Sequence, residues 1–151
     1  MAAKTIILKG SGVRKEALAS GSVTPGHLLQ LTSAGAFIVH QVAKGIGRAL
    51  FAVEDDLQGN GIDDVYATTT LVQANIMQKG DVVNAILATS QTIVRGDYLE
   101  SAGNGQLQKL TAASQLTSGN YTYTPAGVAI AVAVEDVTTT SAVKRIAAEI
   151  L

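Results

Sequence analysis

The segment from Asp56 to Ala67 gathers the residues best spaced to do chemistry. Counted from Asp56, Gln58 falls third, Asn60 fifth, Gly61 sixth and Asp64 ninth. That is part of the spacing by which a calcium loop collects oxygen ligands around a glycine-permitted bend. The twelfth position, which needs a bidentate carboxylate, is Ala67. The segment is therefore expected to be a solvated turn whose carboxylates cap backbone N–H groups. Ser141-Ala142-Val143-Lys144 matches a bare S-x-x-K, whose chemistry needs a helix start that aims both side chains at one point, together with further motifs that are missing. His27 and His40 bracket one predicted hairpin. Either could meet a carboxylate and serve as base or ligand, with a turn or surface role as the default. Arg95-Gly96-Asp97 spells an adhesion tripeptide but stands where a tight turn is expected. Asn120-Tyr121-Thr122 is a glycosylation sequon, and the opening Met1-Ala2-Ala3-Lys4 does not read as a secretory signal.

Other chemistries are excluded by residue type. There is no cysteine, hence no disulfide, thiolate metal site or thiol nucleophile. The sequence has no phosphate loop, no H-E-x-x-H and no G-x-S-x-G, and Gly45-Ile46-Gly47 lacks the third glycine of a dinucleotide fingerprint. No catalytic, cofactor-binding or metal-binding residue is assigned. The chain is expected not to be an enzyme, to use no cofactor and to take no small-molecule substrate.

Acids and bases are interspersed at a net charge of −1, and the densest basic pairs are Arg14-Lys15 and Lys144-Arg145. No basic stripe suits nucleic acid, and with no tryptophan there is little to stack bases on. No run approaches the roughly 18 apolar residues that span a bilayer. Neither nucleic acid nor membrane is an expected partner. Nearly half the residues are hydrophobic, mostly Ala, Val, Ile and Leu, while only 15% are charged. Such a surface fits either a well-packed monomer or a face covered by partners.

The elements that must position these residues are strands. Residues 1–20 are expected to be a flexible arm: Thr5-Ile6-Ile7-Leu8 as a short strand, then Lys9-Gly10-Ser11-Gly12 and the charged Arg14-Lys15-Glu16. A single β-domain is expected over 21–151. Thr24-Pro25-Gly26 is a turn, Leu28–Leu31 a strand, Thr32–Gly35 a second turn and Ala36–Val39 the partner strand. Ala49–Val53 is short and wholly apolar, as a buried strand would be. Leu71–Met77 and Val82–Leu87 follow as strands around the turn Lys79-Gly80-Asp81. Arg95-Gly96-Asp97-Tyr98-Leu99 and Asn104-Gly105-Gln106-Leu107 repeat the opening hairpin about 70 residues on, which is a reused hairpin and not a solenoid. Val128, Ile130, Val132 and Val134 alternate with Ala129, Ala131 and Ala133, so the alanine face is expected to admit another sheet or a partner. Residues 142–151 read as a strand with Ile146, Ala148 and Ile150 on one face, a helix being the rival. The fold class is mostly β, a barrel or sandwich with at most short helices.

Four blocks carry a family resemblance: Thr24-Pro25-Gly26; Leu50-Phe51-Ala52-Val53-Glu54-Asp55-Asp56-Leu57-Gln58-Gly59-Asn60-Gly61-Ile62-Asp63-Asp64; Gln78-Lys79-Gly80-Asp81-Val82-Val83; and Gly96-Asp97-Tyr98-Leu99-Glu100-Ser101-Ala102-Gly103-Asn104-Gly105. In this order they resemble the head decoration (cement) proteins of tailed bacteriophages. The likeness covers residues 14–109 and, loosely, the C-terminal strands; the second block is the most specific. It implies a compact β-barrel-like domain of the β-tulip type with an extended N-terminal arm. It also implies a homotrimer, made in the host bacterial cytoplasm, that sits on the outer capsid surface of the virion and clamps neighbouring subunits of the major capsid protein. Thr5, Ile6, Ile7 and Leu8 are then expected to add a strand to an exposed sheet edge of that protein. The rival is a non-catalytic β-rich binding module of a virion, carbohydrate- or tail-associated, with Tyr66, Tyr98, Tyr121 and Tyr123 as its only platform residues.

Overall fold

Strand follows strand along the whole chain because its apolar residues recur with period two and its glycines and prolines mark the turns. The computed structural model describes residues 2–112, 114–115, 123–124 and 126–151. The first half carries β1 (Ile7–Lys9), β2 (Val13–Leu18), β3 (Leu29–Leu31), β4 (Phe37–Val39), β5 (Leu50–Ala52), a 3-10 turn over Asp56–Gln58, and β6 (Leu71–Ile76). Then come β7 (Val82–Leu87), β8 (Thr92–Ile93), β9 (Tyr98–Gly103), β10 (Gln106–Lys109), β11 (Ser114–Gln115), β12 (Tyr123–Thr124), β13 (Ala131–Ala133), β14 (Val137–Thr138) and β15 (Lys144–Ile150). The protein is mostly β, with one helical turn among the described residues.

Five strands pair in a ring. β7 bonds β10, β10 bonds β9, β9 bonds β13, β13 bonds β15, and β15 returns to β7 over the register Lys144↔Leu87 to Glu149↔Val82. Cross-strand partners share a face. The inward set is therefore Val83, Ala85 and Leu87, Leu107, Leu99, Ala131 and Ala133, and Ile146, Ala148 and Ile150, all in one core with Ile6, Leu28 and Phe51. The ring of five strands is narrow, since barrel width falls with strand number. Small residues are needed inside it. Of the two expectations for the alanine face, close approach of another sheet holds: Ala131 and Ala133 are fully buried in the core that also takes Phe51 of β5, while Val128 is exposed and Val132 and Val134 half-buried. No partner can approach those alanines. Residues 144–150 are strand, with Ile146, Ala148 and Ile150 inward as their alternation indicates.

A second sheet, β2-β6-β5, lies beside the ring. Leu50 and Ala52 face a second core with Val72, Ala74, Leu29 and Phe37, while Phe51 turns the other way into the barrel core. A strand buried on both faces has no polar alternation, which is why Ala49–Val53 is an unbroken apolar run.

The two repeated hairpins interlock. β3–β4 pairs Gln30 with Ile38, and β9–β10 pairs Ser101 with Leu107. Leu28 N–H donates to Gly105 O (2.8 Å), Gly105 N–H to His40 O (3.0 Å) and His40 N–H to Leu28 O (2.8 Å). Asn104 and Gly105 both adopt positive φ (53° and 73°), as a tight two-residue hairpin requires. A Cβ at Gly105 would come within 3.0 Å of His27 and Val39.

Residues 1–20 do not form the flexible arm expected of them. β1 pairs β7 through Ile7↔Val83 and Lys9↔Val82, β2 pairs β6 along its length, and Ile6 is completely buried. The physical reason lies in β7. It meets β10 only at Leu87↔Leu107, so the main chain of Val82–Asn84 would otherwise be unpaired on that edge. β1 supplies the missing bonds, including Asn84 N–H to Ile6 O at 2.7 Å. Only residues 2–5 lie exposed ahead of it.

Candidate interaction surfaces

The acidic loop runs from Glu54, at the end of the β5 run, to Tyr66. Its carboxylates turn to backbone groups and to a cation, and do not converge. Asp64 accepts the Gly61 N–H at 2.6 Å, Glu54 accepts the Ile6 N–H at 3.1 Å, and Asp63 pairs with Arg145 at 3.3 Å. Among the described residues no three His, Asp or Glu side chains gather as a metal site would need. The Arg145 guanidinium also donates to Pro25 O and Ile62 O, stitching the first turn, the acidic loop and β15 together.

Among the described residues neither histidine meets a carboxylate. His27 Nδ1 accepts the Thr24 N–H at 3.0 Å, closing the Thr24-Pro25-Gly26 turn. Burial and the nearby Arg145 cation hold its pKa down to about 4. His40 is buried, with Nε2 3.2 Å from Ile46 O and Nδ1 2.7 Å from Ser101 Oγ. A carbonyl only accepts, so Nε2 carries the proton and the Ser101 hydroxyl donates to Nδ1. Ser101 Oγ accepts the Gly103 N–H in turn. This is a serine–histidine pair sealed from solvent, with Ser101 wholly buried, and it pins the β9–β10 hairpin to the end of β4.

The remaining sequence candidates have structural posts. Asp97 accepts from Lys109 Nζ (2.7 Å) and the Val94 N–H (2.9 Å), which together hold its carboxyl below the usual range. Arg95-Gly96-Asp97 is accordingly a turn, with Gly96 at φ 92°. Lys144 begins a strand and not a helix, and its Nζ donates to Thr138 O, so Ser141 and Lys144 lack the helical frame of the S-x-x-K chemistry. Of the four tyrosines, Tyr66 is buried with its hydroxyl on Val53 O at 2.7 Å, and burial pushes its phenol up to about 12. Tyr98 is exposed. Tyr121, the Asn120-Tyr121-Thr122 sequon and the Tyr123 side chain lie outside the described residues.

One buried carboxylate was not singled out from the sequence. Glu100 is wholly buried; Oε1 accepts from Gln108 Nε2 (2.7 Å) and Thr111 Oγ1 (2.8 Å), and Oε2 has no partner among the described residues. Gly127 packs against it so closely that a Cβ there would overlap Oε2. Alternation alone places Glu100 on the outer face of β9. Its burial comes from Thr111 and Gly127 closing over it, which no local pattern signals.

The clefts are open and shallow. One charged cleft, about 570 Å³, lies between the N-terminal residues and β15, where Arg145 and Asp63 pair with each other. The unusual surface features are apolar side chains at loop tips. Ile46 is 85% exposed with Val42 four residues before it, and Leu57 is 84% exposed on the acidic loop with Val65 at that loop's far end.

No protein-family model matches the chain, and no curated protein does. Among solved structures, the chain is similar to the crystal structure of the head fiber gp8.5 N base of bacteriophage phi29, at a TM-score of 0.54 and 14% identity. The match covers 92% of this chain and 93% of that one, so the likeness is one of fold and runs nearly end to end.

Proposed function

We propose that this chain is a non-catalytic structural protein of a tailed-phage head, bound as a trimer to the outer capsid surface, where it bridges major capsid subunits and stabilises the mature shell. The observation that carries the reading is the fold-long likeness to the base of a phage head fiber. The resemblance of residues 14–109 to head decoration proteins points the same way. The non-catalytic half is supported by the posts of the titratable groups. His27 closes a turn, His40 and Ser101 join two hairpins, and Asp97 holds another turn.

Thr5–Leu8, the segment proposed to add a strand to the capsid protein, already bonds β7 along one edge, through Ile7↔Val83 and the Asn84 N–H to Ile6 O bond. A capsid strand would therefore add along the opposite edge of β1, which ends its sheet. Residues 2–5 and the exposed loops offer further contacts. Co-sedimentation tests the reading: the purified chain is mixed with phage heads that lack it and spun through a cushion. Saturable pelleting with the heads supports it. Failure to pellet at any concentration removes it.

A further inference from the structure

Charge is segregated along this chain to an unusual degree around β5. No acid occurs between Glu16 and Glu54, and no lysine or arginine between Arg48 and Lys79. Two loops result. The loop over residues 41–48 carries Lys44 and Arg48 with no acid, and its tips are Val42 and Ile46. The loop over residues 54–65 carries Glu54, Asp55, Asp56, Asp63 and Asp64 with no base, and its exposed apolar side chains are Leu57 and Val65.

The two loops lie at opposite ends of one extended segment. The β5–β6 ladder continues past β5 at both ends, through Met77 N–H to Ala49 O and Val53 N–H to Gln73 O. Ala49–Val53 is thus extended for about 13 Å and holds the loops apart. They do not meet within one copy. Among the described residues Lys44 and Arg48 make no ion pair, and of the five loop carboxylates only Asp63 does, with Arg145. Each loop therefore offers uncompensated charge beside an almost fully exposed branched aliphatic side chain. Apolar groups so exposed and rimmed by charge mark interaction surfaces.

From this polarity we infer that the chain associates with a second copy of itself head to tail, the basic Val42–Arg48 loop of one copy docking on the acidic Glu54–Val65 loop of the next. Ile46 and Leu57 are the apolar anchors, and Lys44 and Arg48 face Asp55 and Asp56. The partner is a second copy because each loop is complementary to the other in charge and alike in its apolar tips. Made once between two copies, the contact is heterologous and leaves one loop of each kind free for the next copy. Such contacts close into a ring or continue as a filament, depending on the rotation between copies. Opposed exposed charges also make the contact weaken with salt.

The test uses the whole chain without any capsid, so its outcome is separate from that of the head-binding reading. One variant carries Lys44→Glu and Arg48→Glu, making both loops acidic. The other carries Asp55→Lys and Asp56→Lys, making the acidic loop basic at its near end. None of these four side chains holds a hydrogen bond within the described structure, and circular dichroism verifies that both variants fold. Sedimentation equilibrium at low salt is expected to show self-association of the wild type, loss of it in each variant alone, and recovery when the two variants are mixed. Ile46→Ser and Leu57→Ser are each expected to weaken association by about tenfold or more. A wild type that stays monomeric up to millimolar concentration overturns the inference. So does either charge variant that associates like the wild type, or a mixture that stays monomeric. If both variants self-associate normally but fail to bind heads, the loops face the capsid and not a second copy, and the inference is equally overturned.

Discussion

The backbone N–H of Ile6 donates to the Glu54 carboxylate at 3.1 Å, 48 residues away in sequence, and fixes a wholly buried side chain at the open edge of the barrel. The N-terminal strand is therefore part of the folding unit. Ile6→Ala is expected to cost about 2–5 kcal/mol, the range for emptying a buried aliphatic site. Deletion of residues 2–9 should cost more, because Val82–Asn84 also lose their main-chain partners. Urea unfolding followed by circular dichroism measures both. A truncated chain as stable as the full one would show that β1 is not part of the core.

Stability should fall on acidification through His27. Its folded-state pKa of about 4 lies below the ordinary 6.5, so between those values the unfolded chain binds the proton that the folded chain refuses. This contribution is complete above pH 6.5, declines as pH falls toward 4 and is flat below that. The loss is on the order of 3 kcal/mol. His27→Asn, which can still accept the Thr24 N–H but does not titrate, should flatten that part of the profile. Arg145→Gln should move the His27 titration upward without restoring it to 6.5, because burial is the larger cause; proton NMR of the imidazole reads this directly.

Glu100 and Gly127 should behave as a locked pair. Glu100→Ala strands the Gln108 amide and the Thr111 hydroxyl and is expected to destabilise by about 2–4 kcal/mol. Gly127→Ala sets a methyl onto the buried Glu100 carboxylate, which must shift, at about 1–3 kcal/mol. Combining the two should cost less than their sum, since the alanine at 100 removes the clash. A double-mutant cycle in urea reports the coupling.

Tyr66→Phe leaves Val53 O without its donor and should cost about 1–3 kcal/mol. In the wild type Tyr66 should ionise near pH 12, and ultraviolet absorbance should lose that late step in the variant.

Most strands were legible because their evidence is local. The alternation of Ile146, Ala148 and Ile150, the glycines at 26, 35, 96 and 105, and the unbroken apolar run at 49–53 each specify a backbone state and a buried face. Two features were not legible, for different reasons. β1 and β2 look like an arm because glycines and charges surround them, and their exposed side chains reflect edge positions; what holds them is pairing to strands more than 50 residues away. The direction of the β13 face needed the strand number of the barrel, which is a property of closure and not of any segment. The candidate site residues were read correctly as turn formers at Asp64 and Asp97. The His40–Ser101 contact and the burial of Glu100 depend on hairpins meeting in space.

The proposed head-exterior role is tested most directly by cryo-electron microscopy of undecorated tailed-phage heads mixed with the purified protein. The account predicts added density on the outer surface, repeated at the symmetry-related junctions between capsid subunits and matching the five-stranded barrel with its side sheet. A shell that stays bare at saturating protein, or density confined to the tail or the interior, contradicts it.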